Sequence, residues 1–148
     1  MKTQEKEERK KEKKKILFAS SETVPFITTA DLNGLINNLP KDLYEIAQDI
    51  DLRVVIPLHN EVIAKFGNRL EFIGRIYVDQ ELNYRHCGLF TAKDSEIIYY
   101  FIENEYYFKR SDHFDYYAEW ERLSFFGKTV LSVLDTVDFV PDIFKCYF

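Results

Sequence analysis

The first residues that could do chemistry follow the first apolar run of the chain. Ile16–Ala19 is entered directly from a charged segment, and the polar residues Ser20–Glu22 come immediately after it. A short apolar run of this kind is typical of a parallel strand that is covered on both faces. Ligands of open α/β sheets bind at the carboxyl ends of such strands. The loop Glu22–Asp31 is therefore the first candidate for a binding site.

Other residue types that catalyse reactions or bind metals occur without a supporting pattern. The three histidines have no metal-site spacing; they are His59, His86 and His113. Cys87 and Cys146 are also far apart, which favours reduced thiols in a cytoplasmic protein. Glu103 and Glu105 could act as a general acid and base, but 25 acidic residues make such pairs common. No phosphate-binding glycine loop or nucleophile elbow is present. We expect no metal site and no cofactor.

The composition predicts one domain behind a charged leader, residues 1–15. The chain has 148 residues, of which 46% are hydrophobic, enough to bury a core. The leader Met1–Lys15 contains eight Lys or Arg and four Glu. It is net positive without an apolar face, so we expect it to be disordered. The interleaved glutamates argue against a nucleic-acid-binding arm. No apolar run is long enough to cross a membrane, so neither nucleic acid nor membrane is an expected partner.

The segment after the candidate loop predicts a strand, a helix and a second strand. Apolar residues recur at three- and four-residue steps from about Asp31 to Asp49, which predicts one amphipathic helix with Asp31 as its N-cap. Pro40 lies inside this pattern, so we expect the helix to kink or restart there, with Asn38 as a second cap. Leu52–Ile56 is the next buried strand, and Pro57 ends it. This unit predicts an α/β, Rossmann-like fold with a mostly parallel sheet.

The second half predicts a hairpin, a helix and a last strand. From Glu71 onward apolar and polar residues nearly alternate, and polar turns such as Lys93–Ser95 interrupt them, which predicts short strands of a β-hairpin insertion. Ile143–Phe144 begins the last strand, and the segment before it, Arg122–Val137, is predicted to be a helix. The apolar face of this helix consists of Leu123, Phe126, Val130, Leu131, Leu134 and Val137.

Half of the aromatic residues lie between Tyr99 and Phe126. Aromatic faces can stack on sugars, so this segment could form a sugar-binding platform. Tyr and Phe are also favoured in strands, where they bury large areas. We expect core packing to account for most of these rings.

Six segments, in this order and at these spacings, resemble the amino-terminal domain of bacterial glycogen synthases and plant starch synthases. These enzymes transfer glucose from ADP-glucose to a growing α-1,4-glucan. The resemblance covers nearly all of Ile16–Ile143 and implies a Rossmann-like domain, residues 16–148, from a two-domain GT-B glycosyltransferase. The matching segments are ILFASSETVPF, ADLNGLINNLPKDL, RVVIPL, YFIENEYYFKR, ERLSFF and PDI.

The donor-binding motif of the resembled family is changed in this chain. Family members carry Lys-Thr-Gly-Gly-Leu, where the glycines let backbone amides approach the phosphates. The corresponding residues here are Thr28, Thr29, Ala30, Asp31 and Leu32. A carboxylate about 4 Å from a phosphate charge costs on the order of 4 kcal/mol at an effective dielectric constant near 20. We therefore expect weak or no ADP-glucose binding, with Asp31 acting as a helix cap.

Two further positions carry the family's substrate-binding motif. The segment Tyr100–Arg110 has Glu103 in place of the family's Asp and retains Asn104. Phe114 stands where members have a Tyr near the donor site. Near the end, Tyr147 and Phe148 replace the His and Asp that follow the family's Cys. We expect the catalytic His and the second domain of the family to be missing.

The resemblance implies a place in glucan biosynthesis and leaves two hypotheses open. The first is a truncated, non-catalytic binding module or remnant, with ADP-glucose or a glucan as weakly bound ligands. The alternative is one half of a split glycosyltransferase that a separate polypeptide completes. The segment Asp142–Tyr147 is expected to pair in parallel with Ile16–Ala19. Its other edge would then be uncovered, which predicts self-association or partner docking at this strand.

Overall fold

The computed structural model describes residues 12–20, 34–47, 49–80, 83–108 and 116–147. These residues form one six-stranded sheet in the order β3-β4-β5-β2-β1-β6, with helices on both faces. The predicted α/β class is confirmed. In chain order the elements are β1 (Lys14–Ser20), α1 (Gly34–Ile46), β2 (Ile50–Pro57), α2 (Asn60–Phe66), a 3-10 turn (Gly67–Arg69), β3 (Glu71–Gln80), β4 (Asn83–Asp94), β5 (Ile97–Glu103), α3 (Glu105–Phe108), α4 (Tyr116–Val137) and β6 (Ile143–Tyr147).

The parallel half of the sheet is centred on β1. Strand β1 pairs in parallel with β2 on one side and with β6 on the other, and β2 pairs in parallel with β5. Ile16 and Phe18 face one core, while Leu17 and Ala19 face the other. This two-sided burial confirms the interpretation of the apolar run as a covered parallel strand. The predicted pairing of the last strand with β1 is also confirmed.

Strand β1 begins two residues before the predicted strand. Lys14 and Lys15 belong to β1 and not to the leader, because backbone pairing reaches back to them. Lys15 N donates to Asp142 Oδ2 at 2.9 Å, and Asp142 N donates to Lys15 O at 2.8 Å. The lysine side chains remain exposed, so their charge does not oppose strand formation. The rest of the predicted leader, apart from Glu12 and Lys13, lies outside the described residues.

Strands β3 and β4 extend the same sheet as a long antiparallel pair. They have 10 and 12 residues, so the prediction of short strands was wrong. A β-bulge between Phe72 and Gly74 absorbs the irregular pattern without ending β3. The predicted turn at Lys93–Ser95 is displaced, because β4 continues to Asp94 and the two-residue turn is Ser95–Glu96.

The helices differ from the predictions in two places. Helix α1 runs through the buried Pro40 without restarting, so Asn38 is not a second cap. Packing of three neighbours on the core stabilises α1 against the local cost of the proline; these are Leu39, Leu43 and Ala47. The proposed cap Asp31 lies outside the described residues. No helix in the described ranges is long and apolar enough to cross a membrane.

Helix α4 begins earlier than predicted, at Tyr116. Most of its predicted apolar face is confirmed, because Phe126 and Val130 are buried and Leu134 and Val137 pack on the same core. Leu131 was assigned to the core but is 61% exposed. Thr129 was overlooked because its residue type is polar, yet its hydroxyl donates to Phe125 O at 2.7 Å and can therefore be buried. The buried residues of α4 are Phe125, Phe126, Thr129, Val130 and Val133.

Candidate functional site at the carboxyl edge of the sheet

The carboxyl ends of the parallel strands bring several polar residues to one edge. Strand β1 ends at the buried Ser20, and β5 ends at Glu103. Leu58 N donates to Ile102 O at 2.7 Å, which extends the pairing of β2 with β5 beyond Pro57. His59 is thereby held near the end of β5. The carboxyl ends of β1, β2 and β5 therefore lie along one edge of the sheet, while the candidate loop Glu22–Asp31 lies outside the described residues.

Most of the predicted site residues cannot be placed on this edge. The five donor-loop positions lie outside the described residues, and so does Phe114. The donor-loop positions are Thr28, Thr29, Ala30, Asp31 and Leu32. Asn104 is the predicted site residue that the described ranges include. The contacts of Asn104 therefore provide the structural test of the predicted substrate-binding positions within the described ranges.

Asn104 is buried, and both ends of its side-chain amide are bonded inside the protein. Its Oδ1 accepts from Tyr107 N at 3.0 Å, and its Nδ2 donates to His86 O at 3.2 Å. Its backbone O also accepts from Phe108 N at 3.0 Å. Asn104 therefore caps the short helix α3 and ties it to β4. These bonds use the amide for folding and leave it 7% exposed.

Cys87 lies beside this amide in the core. Asn104 Nδ2 is 3.9 Å from Cys87 Sγ, and the thiol is 1% exposed. Burial raises the pKa of Cys87 to about 11, although hydrogen bonds from Asn104 and Thr129 act in the opposite direction. The thiol is therefore protonated at neutral pH and unsuited to nucleophilic attack.

The histidines of the described ranges lie on separate elements. His59 precedes α2, where its backbone O accepts from Val62 N at 3.0 Å. His86 lies on β4, and its ring makes an edge contact with the Tyr77 ring, with 4.6 Å between centroids. Across the described ranges, no three His, Cys, Asp or Glu side chains are grouped as a metal site would require.

The described rings of the aromatic segment pack the core, as predicted, with one exception. The Tyr107 ring stacks on Phe125 at 4.2 Å between centroids, and Phe108 meets Phe126 edge to face at 6.1 Å. Trp120 is an exception, at 60% exposure. The buried rings are Tyr99, Tyr100, Phe101, Tyr107, Phe108, Phe125 and Phe126.

A group of residues on the β3–β4 hairpin was missed by the sequence analysis. In the strand register, Gly88 of β4 lies opposite Glu103 of β5 on one side and Arg75 of β3 on the other. The next pair along the hairpin is His86 with Tyr77. Only the register brings these residues together, since nothing in their sequence spacing indicates proximity.

Comparison with known proteins supports the resemblance that the motifs suggested. A family model described as the starch synthase catalytic domain matches residues 15–147. The chain belongs to this family. Among its relatives, the glycogen synthase of Clostridium kluyveri is 39% identical over 132 residues, covering 89% of this chain, and that of Lactobacillus acidophilus is 34% identical over the same length. The chain spans 27% of the length of each of these two relatives.

A solved structure of the starch synthase family has the same fold. The catalytic domain of starch synthase IV from Arabidopsis thaliana, bound to ADP and acarbose, superposes with a TM-score of 0.74 at 16% sequence identity. The match covers 91% of this chain and 28% of the Arabidopsis chain. It confirms a partial GT-B glycosyltransferase domain as the architecture.

Proposed function

We propose that this starch synthase family chain binds α-glucan but does not transfer glucose by itself. The bonding of Asn104 carries the proposal among the described residues. Its amide oxygen and nitrogen serve Tyr107 N and His86 O, so this family-motif position is explained by folding without a bound donor. The ligands named for the starch synthase IV structure, ADP and acarbose, support ligand binding by the fold in general.

The donor loop supports weak binding of ADP-glucose. Thr28 replaces the lysine of the family motif, and Ala30 and Asp31 replace its glycines. A carboxylate beside a pyrophosphate costs on the order of 4 kcal/mol, which corresponds to roughly a thousandfold in affinity. The loop therefore disfavours the nucleotide-sugar donor, whereas a neutral glucan suffers no such repulsion.

Calorimetric titration of the purified chain with ADP-glucose and with maltoheptaose tests the proposal. We expect heat from maltoheptaose, no heat from ADP-glucose at micromolar concentration, and no transfer of labelled glucose to glycogen. Transfer above a no-protein control would contradict the proposal. Donor binding should appear in the Thr28→Lys/Asp31→Gly double variant. The matched control is Thr136→Lys/Asp138→Gly, which makes the same two changes at exposed sites at the end of α4.

One observation favours the alternative of a split glycosyltransferase. Strand β6 pairs with β1, and no described strand pairs with its other edge. Val140 is 75% exposed, Ile143 39% and Phe144 45%. Unpaired backbone groups beside exposed apolar side chains form a template for an added strand.

The other edge strand of the sheet, β3, has features that prevent pairing with an added strand, and β6 lacks them. Strand β3 carries the bulge at Phe72–Gly74 and the charged residues Glu71 and Arg75. Bulges and charges are the means by which edge strands avoid pairing. Strand β6 has a continuous register with β1, and Lys145 is its single charged residue. We therefore place self-association, or docking of a separate polypeptide, at β6.

Sedimentation velocity of the chain over a concentration series tests this docking surface. The exposed apolar area is small compared with the roughly 800 Å² per partner of stable interfaces, so we expect weak dimers that form at tens of micromolar or above. Phe144→Lys should abolish them, whereas Leu131→Lys, a matched change on the exposed face of α4, should not. A monomer at every concentration would contradict self-association. Glucose transfer that appears only on mixing with a second polypeptide would favour the split enzyme.

We also propose a cytoplasmic location and a solvated leader. Neither cysteine forms a disulfide, and Cys146 is exposed, which suits a reducing compartment. We place the folded domain from β1 onward and treat the residues before Lys14 as a solvated leader.

A further inference from the structure

Strand β6 is an edge strand whose side chains reach solvent on both faces of the sheet. Ile143 pairs with Ile16 and lies on the face that α1 and α2 cover, while Phe144 pairs with Leu17 and lies on the face that α4 covers. Ile143 is nevertheless 39% exposed and Phe144 45% exposed. No described strand lies on the outer side of β6. This side therefore offers backbone groups together with an apolar side chain on each face, which suits an added strand.

A second copy of the chain can supply that strand in a closed, symmetric arrangement. Two β6 strands related by a two-fold axis perpendicular to the sheet run antiparallel, and both copies keep the same face on the same side. Residues directly opposite each other in an antiparallel pair also point to one face. The axis must therefore pass between two identical residues. The possible registers within the exposed part of β6 are centred on Ile143, Phe144, Lys145 or Cys146.

The side chains of β6 disfavour three of these registers. Centring on Lys145 would place two ammonium groups directly opposite each other, which is destabilising. Centring on Ile143 would place the carboxylate of Asp142 opposite the apolar ring of Phe144. Centring on Cys146 would leave the first residues of β6 opposite positions beyond the described strand. The register centred on Phe144 has none of these defects.

The register centred on Phe144 pairs the whole strand, residues 141–147 of each copy. The two Phe144 rings lie opposite each other, and Ile143 lies opposite Lys145 of the second copy. The apolar stem of a lysine can cover an isoleucine while its ammonium group stays in water. Pro141 has no N–H and stands at the end of the ladder, where a proline is tolerated. The single charge of β6 is thus compatible with pairing in this register.

We propose that two copies of the chain pair through β6, antiparallel and centred on Phe144, and join their six-stranded sheets into one continuous sheet. This inference rests on the proposed self-association at β6 and specifies the partner and the register. The carboxyl edges of the two parallel cores then point to opposite ends of the dimer. Pairing of two copies and docking of a separate polypeptide exclude each other, because both use the outer side of β6.

Sedimentation velocity of the variants Ile143→Glu and Ile143→Lys tests the register. Each change places a charge opposite Lys145 of the second copy, and the two-fold axis creates that pair twice. Ile143→Glu should therefore dimerise about tenfold more tightly than Ile143→Lys. The chain has a formal net charge of −5, so general repulsion would produce the opposite order.

Two further sets of variants control this comparison. The double variant Ile143→Lys/Lys145→Glu exchanges the two charges and should dimerise within about threefold of Ile143→Glu. Leu131→Glu and Leu131→Lys make the same two changes at an exposed position of α4. They should dimerise within about twofold of each other, because their charges lie away from the paired strands.

The parent chain allows a measurement that needs no substitution. In a mixture of isotope-labelled and unlabelled chains, nuclear Overhauser effects between copies should join Ile143 to Lys145 and the two Phe144 rings to each other. Contacts between other residues of β6, or equal or reversed affinities of the two Ile143 variants, would overturn this register and leave self-association standing. A monomer at every concentration would overturn both. Glucan binding is measured separately, by the calorimetric titration with maltoheptaose.

Discussion

Replacing Arg53 by Met should destabilise the fold more than removal of any surface ion pair. Arg53 lies on β2, where its Nε and Nη2 donate to the two carboxylate oxygens of Asp51 at 3.1 and 3.2 Å. Its Nη1 donates to Tyr100 Oη at 2.7 Å, and its Cζ lies 4.1 Å from the centre of the Phe139 ring. One guanidinium thus connects β2, β5 and the segment after α4.

The expected loss follows from these contacts. The hydrogen bond from a charged group to Tyr100 contributes about 1.5 kcal/mol, and the cation–π contact with Phe139 contributes about 1 kcal/mol. The Asp51 pair adds about 0.5 kcal/mol, since water reaches both side chains. Burial lowers the pKa of Arg53, but bonds with Asp51 and Tyr100 more than compensate and raise it, so the group stays charged. Met retains the apolar stem, which limits the loss to about 3 kcal/mol.

Thermal unfolding measures this loss. For a chain of this length, about 3 kcal/mol corresponds to a fall in Tm of roughly 6 to 12 °C. Lys93→Met is the matched control, because Lys93 Nζ lies 3.1 Å from Glu96 Oε2 but both side chains are more than half exposed. The control should cost less than about 1 kcal/mol. Equal losses in the two variants would refute the view that the Arg53 contacts stabilise the sheet.

Three further changes test other features of the fold. Ser95 and Glu96 both have positive φ, 48° and 70°, so Ser95→Asn with Glu96→Gly should raise the free energy of unfolding by about 1 kcal/mol in urea titrations; a loss would contradict the turn geometry. Asn104→Ala removes the cap of α3 and the bond to His86 O, and should cost about 2 kcal/mol by the same measurement, whereas the exposed Asn60→Ala should cost less. The folded chain holds the Cys87 proton up to a pKa of about 11, compared with 9.0 ordinarily, while the unfolded chain releases it above pH 9. Raising the pH from 9 to 11 should therefore destabilise the parent chain by up to about 3 kcal/mol more than Cys87→Ala, and identical pH profiles would refute this.

The parallel core could be predicted from the sequence because burial on both faces leaves a direct pattern. Ile16–Ala19 and Leu52–Ile56 are uninterrupted apolar runs, and the structure places both in the middle of the sheet. Their neighbours in the sheet followed from the resemblance. The start of β1 could not be predicted from hydrophobicity, because Lys14 and Lys15 pair through their backbone while their side chains lie in solvent.

The errors arose where tertiary contacts override a local pattern. The restart at Pro40 was expected from local sterics, but packing of α1 on the core maintains one helix. Leu131 fits a helical apolar stripe, yet the buried face of α4 is centred on Phe125 and Thr129. The pairing of Arg75 with Gly88 could not be predicted either, because the register of β3 with β4 leaves no signal in the spacing of these residues.

The bonding of Asn104 bears on how motif matches should be interpreted in this family. A retained residue indicates a retained function only when folding does not require the same residue. Asn104 is required to cap α3 and to bond to β4, so its presence is explained even in a chain without catalysis. The lysine and glycines of the family's donor loop act on a phosphate ligand, and these are the positions that differ here. The retained Asn104 is therefore no evidence for donor binding by itself, and the titration of the donor-loop variants with ADP-glucose is the measurement that decides it.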